Sequence, residues 1–436
     1  MEILSPGQKI RKIRKELKIN QKEITGGEIT RELVSIIEND KSTLTPSVAQ
    51  IITENINRIC KERSIDFSLN TEYLLEDINV QTNKIASGYI DFLCNNEDNI
   101  PKDFSKDIEE IELFLRKYDV PQKKMVIYEK IGDILKKQKE FNRSYIYYIK
   151  AFENHNRLFN DIRLFNLLYK LGGICIKLGK YKEALDFNNL ALIYNNDITE
   201  ELRYKVLFNS ILAYIRLEEH NKALIEIEHV EKTFKHLTKI DIFELNVLKV
   251  NCLRYKKFYN EALKINEFML KDLDRQDIEN NILITANILD IYTVLKDINN
   301  IKIYVDKLIY MMDDYDSAKE SFHCPNAYNQ LGISTKLIDN IELSIKCYKM
   351  SIQLAKYQRN KTIIFKSLDS LLNILIEENN LEEINCLKNE VLELISLDII
   401  DPSITPVLRL LKFYSDIGSQ ENLSSLLNFI LECKKD

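Results

Sequence analysis

Residues 168–191 read LYKLGGICIKLGKYKEALDFNNLA, and the fold turns on this stretch. Leu168, Leu171 and Gly172 mark one helix. Tyr181, Ala184, Leu185 and Ala191 mark the next. Small residues at Gly172 and Ala184 let the paired helices approach, and aromatics fill the spaces between them. The pattern recurs on both sides. Upstream it is Tyr128, Ile131, Gly132, Ser144, Tyr148 and Ala151. Downstream it centres on Leu207, Tyr214 and Ala223, then on Leu253, Phe258 and Ala262. A degenerate copy lies near Leu283 to Met312. Tyr328, Leu331, Gly332, Ser344, Tyr348 and Ser351 restore it, and weaker copies surround Leu372 and Leu411. The small residues Ser144, Ala184, Ala223, Ala262 and Ser344 stand 40, 39, 39 and 82 residues apart, the last interval being two units.

Periodic helix pairs with a small residue at each crossing are the mark of tetratricopeptide-type repeats, whose unit is ~34 residues. Here the loops are longer by several residues. Stacked units of this kind coil into a right-handed superhelix with a concave groove. Composition agrees. The 436 residues hold only 10 Gly and 7 Pro, too few for the turns of a large sheet protein. The 45% hydrophobic and 29% charged content is enough for a large core on a charged surface. The expectation is an all-α chain: an N-terminal helix-turn-helix domain followed by a tetratricopeptide-like right-handed α-solenoid.

The first 64 residues differ from the rest. They hold 12 Lys/Arg against 9 Asp/Glu, whereas the remainder holds 49 against 58. A basic head on an acidic body suits a polyanion reader. Ser5-Pro6-Gly7-Gln8 reads as a helix start with a capping box. Ile10, Ile13 and Leu17 form its apolar face. Lys9, Arg11, Lys12, Arg14, Lys15 and Lys18 crowd the other side. Asn20 starts a second short helix, Gln21 to Ile24, with Glu23 at the reciprocal capping position. Thr25-Gly26-Gly27 is a turn. A third helix runs from Thr30 to about Asn39, with Val34 and Ile37 inward and Arg31, Glu32 and Ser35 outward. Thr45-Pro46 opens a fourth through Ile51, Ile52, Ile56 and Ile59.

Two short helices around a Gly-containing turn make a helix-turn-helix unit. The run from Gln21 to Lys41, with Ile24, Arg31, Ser35, Ile37, Glu38 and Asn39 in place, resembles the repressor-type (Xre/Cro-like) helix-turn-helix over residues 5–60. The resemblance implies double-stranded DNA as partner, with the third helix in the major groove. Gln21 then lies near a phosphate, and Arg31, Glu32 and Ser35 face base edges. These side chains suit guanine, cytosine and several bases respectively. Lys41, closing the motif, and Lys12, on the basic side of the first helix, are also counted as DNA-contacting. Two positions depart from the family pattern. Ile36 stands where a basic residue is frequent, and Asp40 replaces the usual Gly, placing an acid near the expected phosphate path.

Residues 65–100 read as a linker helix, with Thr71 as its cap and Asn95 to Pro101 as a polar break. Residues 101–436 carry the repeats. The two halves together resemble the RRNPP family of Gram-positive bacteria (the Rap, Rgg, NprR, PlcR and PrgX regulators). That resemblance implies a homodimeric transcription regulator whose repeat groove captures a short imported signalling peptide. It is nearest to clostridial regulators of sporulation and toxin genes. In the family, Asn side chains on inner helices hold the peptide backbone, since a carboxamide offers both a donor and an acceptor. Counted by repeat, Asn287, Asn329 and Asp369 occupy one inner position. Asn326, Lys366 and Asn373 fall on adjacent ones, where a Lys suits a peptide carboxylate.

Other classes find little support. The eight cysteines form no CxxC pair, and no histidine stands at zinc-ligand spacing from two of them, so buried thiols in a reducing cytoplasm are expected. No apolar leader and no run of ~18 apolar residues occurs. No phosphate loop, HExxH or nucleophile elbow is present. No cofactor, metal, membrane or enzymatic activity is expected. The competing reading is a protein-interaction scaffold that binds and inhibits a response regulator or another protein through its repeats.

Overall fold

In a computed structural model of the chain, residues 2–97, 104–154, 161–193, 198–313, 321–401 and 403–433 are described. His155 and the end of the expected linker, 98–100, fall outside them. Among the described residues every regular element is helical. The chain forms two compact units, Met1–Glu218 and Glu219–Asp436.

The first unit opens with α1 (Pro6–Glu16), capped as its sequence dictates. The Ser5 hydroxyl accepts from the Gln8 amide N–H, and the Gln8 side chain returns to the Ser5 N–H. Where a second helix is expected at Gln21 to Ile24 there is a single 3-10 turn, Glu23–Thr25. Asn20 and Glu23 do cap one another reciprocally, but Gly26 and Gly27 follow in the left-handed region and end the segment after one turn. Then come α2 (Arg31–Glu38), with Thr30 as cap, and α3 (Pro46–Glu62), with Thr45 as cap. Ile10, Ile24, Val34, Ile37, Ile52 and Ile56 close a small core. Gly7 is required there. A Cβ on it would stand 1.9 Å from the Ile37 carbonyl oxygen, so only glycine lets α1 meet the end of α2.

The expected linker helix is two helices. Asn70, not Thr71, caps α4 (Thr71–Leu75), and Asp77 caps a fresh start at α5 (Ile78–Asn95). Ala86 and Leu93 of α5 are buried in the same core as Ile127 and Ile131, so this segment packs onto the repeats. After α6 (Ser105–Lys117) the unit continues with α7 (Pro121–Lys137), α8 (Phe141–Glu153), α9 (Asp161–Lys177), α10 (Tyr181–Ile193) and α11 (Glu200–Arg216).

The second unit runs α12 (His220–Thr233), α13 (Lys239–Tyr255), α14 (Tyr259–Asp272), α15 (Ile278–Leu295), α16 (Ile298–Asp313), α17 (Cys324–Leu337), α18 (Ile341–Tyr357), α19 (Lys361–Glu377), α20 (Leu381–Ser396), α21 (Thr405–Asp416) and α22 (Gln420–Cys433). From α7 on, odd-numbered helices are the first (A) and even-numbered the second (B) of each repeat. Neighbouring A helices pack side by side, as α15 does on α17 and α17 on α19.

One turn joins A to B in every repeat. Lys139, Gly179, Glu218, Lys257, Lys296, Asp339, Asn379 and Gly418 all have φ between 52° and 74°. Each ends its A helix in the left-handed cap that stops a helix within one residue. They stand 40, 39, 39, 39, 43, 40 and 39 residues apart. Five residues after each comes the small or aliphatic crossing residue. Ser144, Ala184, Ala223, Ala262, Ile301, Ser344 and Ile384 are all fully buried there. Ser144 and Ser344 donate to the carbonyls of Gly132 and Gly332 at 2.8 and 2.6 Å. Those glycines lie flat on the rings of Tyr148 and Tyr348, which a Cβ would enter at 2.6 and 2.7 Å. The fold is a tetratricopeptide-like α-solenoid.

Candidate functional site

In the head, α2 presents Arg31 and Glu32 to solvent, with Ser35 half-buried beside them and Lys41 exposed just beyond the helix. What holds this face lies behind it. Glu38, only 3% exposed, accepts from Arg14 Nε at 2.7 Å, from a second Arg14 nitrogen at 2.9 Å, and from Gln21 Nε2 at 2.9 Å. Burial pushes the Glu38 carboxyl up, but the Arg14 and Gln21 hydrogen bonds outweigh it and hold the pKa below the ordinary glutamate value. One carboxylate thus ties α1, the 3-10 turn and α2 together. Gln21, expected near a phosphate, spends one amide hydrogen inside the protein.

The basic side of α1 is smaller than its sequence suggests. Lys9 is 1% exposed. Its ammonium donates to the carbonyls of Tyr73 and Glu76 at 2.6 and 2.9 Å and lies over the Tyr73 ring. It satisfies two carbonyls that the end of α4 leaves open. Lys12 is exposed but paired with Glu2 at 2.7 Å. Asp40 takes φ 55°, in the left-handed region that glycine adopts most readily. Its carboxylate accepts from the Ser5 hydroxyl at 2.5 Å and from Gln8 Nε2 at 3.2 Å. The acid therefore faces the start of α1, where a helix favours negative charge.

The expected peptide residues all lie on A helices of the second unit: Asn287 on α15, Asn326 and Asn329 on α17, and Lys366, Asp369 and Asn373 on α19. The common turn corrects their register. Asn329 and Asp369 each stand ten residues before their left-handed residue, but Asn287 stands nine before Lys296. The three do not share one position, because the fifth repeat is longer than its neighbours. Asn326 and Lys366 are exposed; Asn287, Asp369 and Asn373 are half-buried. Asn329 is almost wholly buried, and its carboxamide oxygen accepts from Ser367 at 2.9 Å. Only its amide hydrogens remain for a ligand.

A residue absent from the expected set gathers two of these. Arg409, on α21, pairs with Asp369 at 3.4 Å and donates to Asn373. Arg409 stands nine residues before Gly418, in register with Asn287. Counting from the turns would have found it; the faint last repeat hid it. Arg254 of α13 similarly pairs with Asp290 of α15, and burial pushes its pKa down. The A-helix layer is thus cross-linked by polar pairs whose outer edges reach solvent.

Among the described residues no helix is long and apolar enough to cross a membrane, and no three His, Cys, Asp or Glu residues are placed to hold a metal ion. Among the described residues five cysteines are buried, but Cys94 and Cys386 are exposed, unlike the buried thiols expected.

No protein-family model matches the chain, and no curated protein matches it. Among solved structures, it is similar to the apo form of the quorum sensor NprR from B. thuringiensis. That likeness covers 88% of this chain and 99% of that one at 16% identity, with a TM-score of 0.53. It is also similar to apo RapI, at 15% identity over 61% of this chain and 94% of that one, TM-score 0.47. NprR bound to its cognate peptide NprX matches at 14% identity over 80% and 99% of the two chains, TM-score 0.41. The first likeness supports the α-solenoid fold; the other two overlap too loosely to add to it.

Proposed function

We propose that the chain is a non-enzymatic, DNA-binding transcription regulator controlled by a short signalling peptide held on the A-helix face of its second unit. The observation that carries this reading is the α2 face. Arg31 and Glu32 point to solvent beside Ser35, on a short helix braced from behind by the buried Arg14–Glu38–Gln21 network. Residues 1–64 act as a helix-turn-helix head, and 65–100 connect it to the repeats in 101–436. Arg31 and Ser35 read base edges in the major groove, and a second copy reads the other half-site. The peptide contacts are Asn287, Asn326, Lys366 and Asn373, with Asn329 donating through its amide hydrogens and Arg409 beside Asp369. The fold shared with a quorum sensor, and the resemblance of the head and repeats to the RRNPP regulators, support the same reading. Sporulation and toxin genes are the proposed targets.

The test is binding of the full chain to its own upstream DNA across a salt series, beside an Arg31→Ala/Ser35→Ala variant. Specific binding lost in the variant is the expected result. Equal binding by both proteins would remove α2 as the reader. The absence of specific binding by a folded wild-type chain would favour the scaffold reading, in which the repeats grip a protein.

A further inference from the structure

In the second unit a cavity of about 320 Å³ opens between the start of α13, the end of α14 and the turn into α15. That is the lower end of the range of small-molecule pockets, about 300–1,000 Å³. Its walls are apolar: Ile240, Ile242, Phe243, Phe268, Met269 and Leu273. Ile240, Ile242 and Phe268 are 71%, 46% and 65% exposed, and large apolar side chains gathered at one exposed place mark a binding surface. The cavity lies apart from the proposed peptide contacts. Phe243 and Asn246 of α13 line it, and the same helix face continues to Val250, buried in one core with Ala262 and Met269 of α14. This face of α13 is turned to its own B helix.

The rim is charged and one-sided. Asp272, Asp274 and Asp277 line it against a single base, Lys239, a balance of two negative charges. Asp277 accepts from the Asn280 N–H at 3.2 Å and from Asn280 Nδ2 at 2.8 Å, and Asp274 accepts from the Gln276 N–H at 2.9 Å. These bonds fix the two carboxylates without neutralising them. Asp272 has no hydrogen bond or ion pair among the described residues. It stands in the last turn of α14, where the open carbonyls and the helix dipole favour a cation over an acid. One turn further into α14, Asn266 shares a helix face with Met269 and Leu273. It is fully buried, and neither its oxygen nor its nitrogen finds a hydrogen-bond partner. An unsatisfied buried carboxamide costs stability, and Met269, next to it on that face, is an unbranched side chain that repacks readily.

We propose that this cavity binds a small organic ammonium ion built on an aromatic ring that carries an N–H. The ring enters between Phe243, Phe268 and Met269. The ammonium group stays at the rim among Asp272, Asp274 and Asp277, within reach of the Phe268 face for a cation–π contact. The ring N–H, with Met269 moved aside, donates to the Asn266 oxygen. Charge and chemistry select this class. An anion would meet the acidic rim, and an uncharged hydrocarbon would leave both the acids and the carboxamide unanswered. A metal ion is poorly served, because the walls offer carbon and no three of the described acids converge to hold one. The site is separate from the DNA and peptide contacts proposed above and does not depend on them.

The probe is tryptamine. The chain holds no tryptophan, so indole fluorescence anisotropy reads the bound probe directly when the full chain is titrated in at neutral pH. Indole-3-propionate, the same ring with an anionic tail, is the comparison. The expected result is saturable binding of tryptamine, at least tenfold tighter than that of indole-3-propionate. Asp272→Asn/Asp274→Asn changes two exposed side chains and spares Asp277, which caps α15. It is to weaken tryptamine at least fivefold, whereas Glu378→Gln/Glu382→Gln, which removes the same charge from exposed positions where α19 meets α20, stays within twofold. Phe268→Ser removes no charge and is to weaken binding at least fivefold as well. 1-Methyltryptamine, whose ring nitrogen has no hydrogen to donate, is to bind at least threefold more weakly than tryptamine. Equal binding of the anionic probe, equal loss in the Glu378→Gln/Glu382→Gln control, or undiminished binding by Phe268→Ser would each overturn the proposal. Equal binding of 1-methyltryptamine would overturn the assignment of Asn266. No saturable binding of tryptamine at all would overturn the ligand class and leave Ile240 and Phe268 as a contact for a protein.

Discussion

Glu38 and Lys9 show how much of the head's charge is structural. The folded Glu38 carboxyl has a pKa below its unfolded value, so the native state binds fewer protons than the unfolded one in acid. Its contribution is fully present above the unfolded pKa, about 4.3, and is lost as pH falls through the folded pKa. Melting followed from pH 6 to pH 3 should therefore show an acid loss of stability that Glu38→Gln reduces, the variant already being weaker at neutral pH. Breaking a buried pair by removing one partner costs about 3–5 kcal/mol. Arg14→Ala, which strands the carboxylate, should be the worse of the two; the reverse order would show that Glu38 is not ionised in the fold. Lys9 gives a prediction of the opposite flavour. Lys9→Met removes a buried charge and keeps the aliphatic stem, yet it leaves the Tyr73 carbonyl without its donor, while the Glu76 carbonyl keeps Gln81 Nε2 at 3.0 Å. An unpaired buried polar group costs about 1–3 kcal/mol, so chemical denaturation should find the variant less stable by a value in that range. A stabilised variant would mean that water replaces the ammonium there.

Among elements, the A–B turn decides register, and the glycines before it show why. Gly332 and Gly88 both lie inside helices, where Gly to Ala ordinarily stabilises by about 0.5–1 kcal/mol. At Gly88 on α5 a Cβ would meet nothing within 4 Å, so Gly88→Ala should gain that amount. At Gly332 the Cβ would enter the Tyr348 ring at 2.7 Å. Overpacking of this kind costs about 1–3 kcal/mol, so Gly332→Ala should lower the melting temperature where Gly88→Ala raises it; the same sign for both would refute the packing account. These elements also show what could be read from the sequence. The repeats were legible because Gly132, Gly172 and Gly332 and the small residues twelve positions later are set by backbone approach, which few residue types permit. The caps Ser5, Thr30 and Thr45 were legible for the same local reason. Lys9, Gln21 and Arg409 were not, because a lysine under a ring, a glutamine turned to an internal carboxylate and an arginine facing the preceding repeat are placed by tertiary partners far away in sequence. The slip of Asn287 out of register has a plainer cause: a longer fifth repeat whose αL residue, Lys296, carries no mark of its conformation.

At the scale of the whole molecule the question is which charges meet the solvent. The head's excess of three positive charges in residues 1–64 is drawn from 12 cations, but Lys9 is buried, Arg14 faces Glu38, and Lys12 and Arg63 are paired with Glu2 and Glu23. Arg11, Lys15, Lys18, Lys22, Arg31, Lys41, Arg58 and Lys61 remain exposed. If about four of these replace counterions on DNA, log affinity should fall against log salt with a slope near −4 for one head and near −7 for two, at about 0.9 per phosphate contact. The slope thus reports how many copies engage the site, independently of any structure of the complex. Lys15→Gln and Lys22→Gln should each flatten it by up to about one per head while leaving the preferred sequence unchanged, since backbone contacts position and base contacts specify. Arg31→Ala should change the preferred sequence as well. A slope unmoved by the lysine variants would place the phosphate contacts outside the head, on a chain whose remaining residues carry nine more acids than bases. That is an electrostatically poor place for DNA, and the result would therefore count against the head as the reader altogether.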